Sequence, residues 1–248
     1  MKGYHLFRHA LAMVLRDLPT TTRLTAVPYA IGAIWSVWFA VTAPTVNGVL
    51  MIREPSGLLG VGALCLLSIV SILWLAVVWH RYVLLGEAPK RFLPEASVSR
   101  MKGYLIKGIL TVLVTLPVAG IFGVLSYLLS YGGPLIGAVM GCGYIFALVA
   151  VIGRVSAILP AVAVDRPISL RESWAQTKQA TPAIVVAFLM AGVTMAVASM
   201  MVLAVFLTAG KLAYLAIPNF LIQWFSTVLG LSLITTIYGH YIEGRELT

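Results

Sequence analysis

The chain has 248 residues, of which 60% are hydrophobic and 10% charged, where soluble domains carry about 25% charged residues. At a mean hydropathy of +1.00, a water-soluble core cannot absorb this much apolar surface, which excludes an ordinary soluble enzyme or binding domain. The net charge of +9 would suit a polyanionic partner, so the location of the cations has to decide what it means.

A bilayer-spanning helix needs about 20 largely apolar residues. Six stretches reach that length, near 24–45, 57–79, 108–131, 133–153, 182–209 and 214–239. The expectation is one all-α polytopic membrane domain over 1–248, with six transmembrane helices arranged as three hairpins and amphipathic helices at the cytoplasmic interface. Of the 17 lysines and arginines, only Arg53 and Lys211 fall on the side of the first, third and fifth connections. The positive-inside rule then puts both termini in the cytoplasm, as expected for a multi-pass protein of a bacterial inner membrane. Topology accounts for the basicity, and no nucleic-acid partner is expected.

In chain order, residues 1–19 carry Tyr4, Phe7, Leu11, Val14 or Leu15, and Leu18 at helical spacing, with His5, Arg8, His9 and Arg16 between them. That pattern predicts an amphipathic helix lying in the interface and ended by Pro19. Val41, Thr42 and Ala43 have the small side chains of a signal-peptide cleavage site, but Pro44 follows at once and about twenty residues precede the apolar run, so the first span reads as a retained anchor. The second span closes on Trp79, His80, Arg81 and Tyr82, an aromatic and basic collar. Beyond it Lys90, Arg91, Arg100 and Lys102 form a basic stretch suited to anionic lipid headgroups.

Ser130 to Pro134 joins the third and fourth spans without a charge, as a tight turn. Gly133, Gly137 and Gly141 on the fourth span, and Ala183, Ala187 and Ala191 on the fifth, form small-residue stripes that allow close approach. Met190, Met195, Met200 and Met201 read as adaptable packing, and Cys65 and Cys142 as small hydrophobes rather than a disulfide or metal pair. Asn219 and Gln223, one turn apart in the sixth span, suit interhelical hydrogen bonds. His5 with His9, and His80 with His240, lack further ligands in context, so no metal, haem or other cofactor is expected. The spans as drawn contain no ionisable Asp, Glu, Lys, Arg or His, whereas ion-coupled transporters and intramembrane enzymes usually keep such groups at depth. The words Met1-Lys2-Gly3-Tyr4 and Met101-Lys102-Gly103-Tyr104 coincide. They suggest an interfacial helix before each hairpin, near 2–18, 95–103 and 169–180.

The second half has one dense charged cluster, residues 153–181. Pro160 is expected to break the extended fourth helix, and Ser169 with Glu172 matches the S-x-x-E capping box. The helix over 168–180 offers Leu170, Trp174 and Thr177 on one side and turns Arg171, Glu172 and Lys178 elsewhere, an interfacial elbow before Pro182. Arg154, the nearest thing to a buried charge, is expected to snorkel, to bind a lipid phosphate, or to pair with Asp165 or Glu172. Arg154, Arg166 and Arg171 are where a phosphate is expected. With Arg81, Lys90, Arg91, Arg100 and Lys102 they make up the candidate contacts to anionic lipid or a partner. Asp165, Ser169, Glu172, Trp174, Asn219 and Gln223 are candidate structural polar residues.

The run from Arg154 and Ser156 through Leu159-Pro160-Ala161 and Ala163-Val164-Asp165 to Ser169-Leu170, Ser173-Trp174 and Thr177 resembles the membrane domain of the glycerophosphoryl diester phosphodiesterase family and related bacterial inner-membrane proteins. Where that family carries a Thr-Arg-Gly-like turn, this chain has Thr177, Lys178 and Gln179. The resemblance implies a lipid-associated membrane module and not phosphodiesterase activity, because no segment between the spans is long enough to form the soluble catalytic domain. The expected function is that of a non-enzymatic membrane-partner, assembly or lipid-associated protein, with anionic membrane lipids and another membrane protein as the partners considered. The alternative is a transporter or lipid-handling protein with a cavity between helices 4 to 6, lined by Asn219, Gln223 and Ser226. An interfacial enzyme using His80, Arg154, Asp165 or His240 ranks third, since no nucleophile and base stand at meaningful spacing.

Overall fold

The computed structural model describes residues 2–42, 45–46, 49–50, 55–87, 95, 97–208 and 216–247. Among these the chain is helical apart from a two-residue antiparallel pairing of β1 (Thr45–Val46) with β2 (Val49–Leu50). The helices are α1 (Lys2–Leu15), α2 (Leu18–Thr42), α3 (Pro55–Leu85), α4 (Val98–Ser130), α5 (Pro134–Val155), α6 (Ile158–Ala163), α7 (Leu170–Gln176), α8 (Thr181–Thr208) and α9 (Ala216–Tyr241), with a 3₁₀ turn at Lys178–Ala180.

Five stretches among the described residues are long and apolar enough to cross a membrane: Gly60–Leu85, Val98–Ser130, Pro134–Ala163, Lys178–Thr208 and Pro218–Tyr241. They mark an all-helical, membrane-embedded, multi-pass protein. The expected first span, 24–45, falls largely on α2, and its outer part lies outside the described residues.

Several boundaries differ from the sequence expectation, each for a local reason. The N-terminal helix stops at Leu15, and Pro19 sits in the first turn of α2, where a missing N–H costs nothing. Asp17 Oδ1 accepts from the Thr20 N–H at 3.1 Å and so caps that turn. The helix expected near 95–103 is not separate: it continues without interruption into the third span as the 33-residue α4, since no proline stands between Val98 and Leu116. The fourth helix breaks at Ser156–Ala157, ahead of Pro160, which lies in the first turn of α6. At the far end, the Tyr131–Gly132 turn, Gly133 at φ 120° and Pro134 opening α5 make the tight connection that the sequence suggests.

The N-terminal helix α1 does more than lie in an interface. Gly3, Leu6, Phe7, Ala10 and Val14 are buried, and α1 packs against α8 and α9. Leu6, Phe7 and Ala10 cluster with Ala187, Ala191, Leu229 and Leu233. The alanine stripe of α8 therefore receives α1. Of the residues expected on the apolar face of α1, Phe7 and Val14 are buried, while Tyr4, Leu15 and Leu18 are exposed.

The buried residues gather at one end of the bundle. In α3 they run from Ser71 to Leu84; in α4 they are Tyr104 and Thr111; in α5, Gly153 and Val155. In α8 they run from Ile184 to Ala191, and in α9 from Val228 to Gly239. This is the end where α1, α6, α7 and the C-terminal tail meet, and it carries the charges of the described residues. The other halves of the spans present large apolar side chains outward, such as Ile121, Leu135 and Val205, which a lipid environment accepts at little cost.

Candidate functional site

The charged end is held together by two assemblies. In the first, Asp165 follows α6 in a left-handed backbone conformation, φ 61°, which Asp tolerates better than most residues. That turn aims its carboxylate at two helices. Arg81 Nη1 donates to Asp165 Oδ2 at 3.0 Å and to the Ala163 carbonyl at 2.9 Å. Arg100 Nε donates to both Asp165 oxygens at 3.1 Å. Arg81 also donates from Nε to Glu87 Oε2 at 2.7 Å. Hydrogen bonds from Arg100 and then Arg81 hold the Asp165 carboxyl below its ordinary range, and the Arg81 hydrogen bond does the same for Glu87. One acidic residue thus ties α3, α4 and the α6–α7 connection together.

The second assembly surrounds Arg154. Its Nη2 donates to the Trp174 carbonyl at 2.6 Å, and its guanidinium lies over the Trp174 ring, 3.5 Å from the centroid, a cation–π arrangement. In return the Ser173 hydroxyl donates to the Arg154 carbonyl at 2.6 Å, and the Thr177 hydroxyl reaches the same oxygen at 3.5 Å. Expected pairing of Arg154 with Asp165 or Glu172 is absent. Asp165 is engaged by Arg81 and Arg100, and Glu172 accepts from the Ser169 N–H at 2.7 Å while Ser169 Oγ accepts from the Glu172 N–H at 3.1 Å. The capping box is therefore present on both sides, and the Ser169 backbone hydrogen bond lowers the Glu172 pKa. Arg154, Ser173, Trp174 and Thr177 form one interlocked unit joining α5 to the elbow.

The C-terminal tail closes the same end. Arg166 Nη1 meets Glu243 Oε1 at 3.3 Å, Arg245 Nε meets Glu243 Oε2 at 2.6 Å, and Arg245 Nη2 donates to the Leu84 carbonyl at 2.9 Å. His240 Nδ1 lies 2.8 Å from the Arg245 carbonyl. His80 does not face His240. It is fully buried, 2.7 Å from Thr235 Oγ1 and 3.1 Å from the Tyr104 hydroxyl, beside Trp79, whose Nε1 donates to Ser232 Oγ at 3.1 Å. These bonds satisfy the polar groups of a buried seam between α3, α4 and α9. Among the described residues no three His, Cys, Asp or Glu side chains group as a metal site.

The structure divides the eight candidate cations. Arg81, Arg100, Arg154 and Arg166 have the partners just given. Lys102 and Arg171 are exposed. Lys90 and Arg91 lie outside the described residues. Asn219 and Gln223 are exposed on α9 and are not brought into the charged end. A cavity of about 330 Å³ lies between α2 and α3, lined by Pro28, Gly32, Ser68, Ser71 and Leu75 among others, away from the expected location between helices 4 to 6. Sequence reading missed the roles of Glu243 and Tyr104. Tyr104 had a signal in the repeated Gly-Tyr word; Glu243 had none, because its role depends on a tail that folds back.

The chain matches no protein-family model, no curated protein and no solved structure.

Proposed function

We propose that the protein is a six-span module of a bacterial inner membrane, with three hairpins and both termini cytoplasmic, whose charged end associates with anionic lipid and so with the membrane surface or a membrane partner. Its role on this reading is that of a lipid-associated or assembly protein, without chemistry of its own. The observation that carries the proposal is the sorting of charge at that end. The carboxylates of Asp165, Glu87, Glu172 and Glu243 are engaged in internal bonds, while Lys2, Arg8, Arg16, Arg23, Lys102, Arg171 and Lys178 are exposed. A surface rich in exposed cations above an apolar bundle matches the negative potential of a cytoplasmic leaflet.

The transporter alternative receives less support, since Asn219 and Gln223 are exposed rather than lining an internal path. The test is thermal unfolding of the purified chain in nanodiscs of zwitterionic lipid with and without anionic lipid. The proposal expects a higher melting temperature with anionic lipid, an increment that shrinks as salt rises. A melting temperature indifferent to lipid charge contradicts it.

A further inference from the structure

The elbow around Trp174 has an arrangement that internal packing does not use up. Arg171 and Trp174 are three residues apart on α7, and Lys178 follows four residues later in the 3₁₀ turn. Thr177 between them keeps a right-handed backbone, φ −89° and ψ −1°. Side chains at this spacing fall on one helical face. Arg171 and Lys178 are exposed, and Trp174 is 41% exposed. Arg154 reaches the Trp174 ring from α5, with its guanidinium 3.5 Å from the centroid.

None of the three cations is neutralised by a carboxylate among the described residues. The acid on the same helix, Glu172, is tied to the Ser169 N–H at 2.7 Å. Asp165 is held by Arg81 and Arg100, and Glu243 by Arg166 and Arg245. Arg154 uses Nη2 on the Trp174 carbonyl, its Nε is buried, and Nη1 makes no hydrogen bond to a described residue. An arginine fork recognises a phosphate through several donors at once, so donor capacity remains at this point.

We propose that Arg154, Arg171 and Lys178, arranged about Trp174, form a discrete docking site for the phosphate headgroup of one anionic phospholipid. This rests on the lipid-associated reading above and narrows it to one place. It also revises the sequence expectation, because Arg166, expected there, is drawn away by Glu243 at 3.3 Å and Lys178 takes its place. The occupant is a lipid rather than a soluble phosphate because the site lies where two apolar spans meet the charged end. Trp174 is the kind of side chain that sits at headgroup level, and Ala150 and Val151, one helical turn before Arg154 and on its side of α5, are half-buried where an acyl chain would continue.

The experiment titrates the delipidated, detergent-solubilised full chain with phosphatidylglycerol or phosphatidylcholine and counts bound lipids by native mass spectrometry. The native chain should hold one phosphatidylglycerol in clear preference to phosphatidylcholine. Arg171→Gln with Lys178→Gln, both at exposed positions and so compatible with folding, should weaken that lipid by roughly fivefold per charge removed. Glycerol phosphate should not displace it at comparable concentration. If the double variant keeps native affinity while phosphatidylglycerol is still preferred, the site is overturned and the broader lipid-associated reading survives. If the native chain shows no preference for phosphatidylglycerol, both fall. Displacement by glycerol phosphate at comparable concentration overturns the assignment to a lipid.

Discussion

Asp165 shows how much one residue settles at the charged end. Its left-handed backbone, φ 61°, is an arrangement that Asp and Asn accept and that costs other L residues about 1–2 kcal/mol. Asp165→Asn should keep the turn and lose only the charge-assisted part of the bonds from Arg81 and Arg100. Because the Asp165 side chain is 54% exposed, solvent screening limits that loss to about 1 kcal/mol, or about 2–4 °C in melting temperature for a chain of this size. Asp165→Ala should lose more, since strain adds to it. The arginines hold the folded-state carboxyl below its unfolded value of about 3.9. The stabilisation is therefore complete above that value and disappears as pH falls through the lower folded-state value. Melting curves of the native chain and Asp165→Asn should accordingly differ at pH 7 and draw together as acid protonates the carboxylate; a difference that does not narrow with falling pH contradicts the ion-pair account. The Ser169–Glu172 box was legible in the sequence because its two partners are three residues apart. The partner of Arg154 was not: the sequence offers two carboxylates nearby, but the turn at Asp165 aims one at α3 and α4, and the capping box removes the other.

At the scale of helices, five of the six expected spans coincide with long apolar helices among the described residues, and the ends of the helices were read less well. Prolines were the misleading signal. Pro19 and Pro160 read as terminators, yet both stand in the first turns of new helices, where proline is favoured. Close approach was likewise visible only in part. A Cβ on Gly141 would meet nothing within 4 Å, whereas one on Gly153 would collide with the Ile184 side chain of α8, and one on Gly3 would lie 2.7 Å from Val186 Cβ. The glycines that matter are therefore those facing α8, and a period of four along one helix cannot reveal which neighbour it meets. Gly153→Ala should destabilise the fold by about 1–3 kcal/mol, as overpacking does, and Gly141→Ala should be neutral or slightly stabilising. Equal melting temperatures for the two variants in detergent would contradict the α5–α8 contact. The phase of α1 was misread for a related reason: with apolar surroundings on several sides, exposed Tyr4 and Leu15 look like core residues as much as buried Leu6 and Ala10 do.

Across the whole molecule, one end is both packed and charged, and the other halves of the spans turn apolar side chains outward. Composition alone made a membrane protein legible, because no soluble fold accommodates so little charge. The concentration of the core at the charged end was not legible, since every span is similarly hydrophobic along its length and only the interlocking of α1, α6, α7 and the tail reveals where the helices converge. On the proposed reading that end faces the cytoplasmic leaflet, and the turn at Tyr131 faces the opposite compartment. The most direct measurement is labelling of single cysteines by a membrane-impermeant maleimide in intact cells, with Cys65 and Cys142 first replaced by serine. The account predicts that Tyr131→Cys is labelled from outside, while Glu246→Cys is labelled only after the membrane is permeabilised. Labelling of Glu246→Cys in intact cells, with Tyr131→Cys protected, would contradict it.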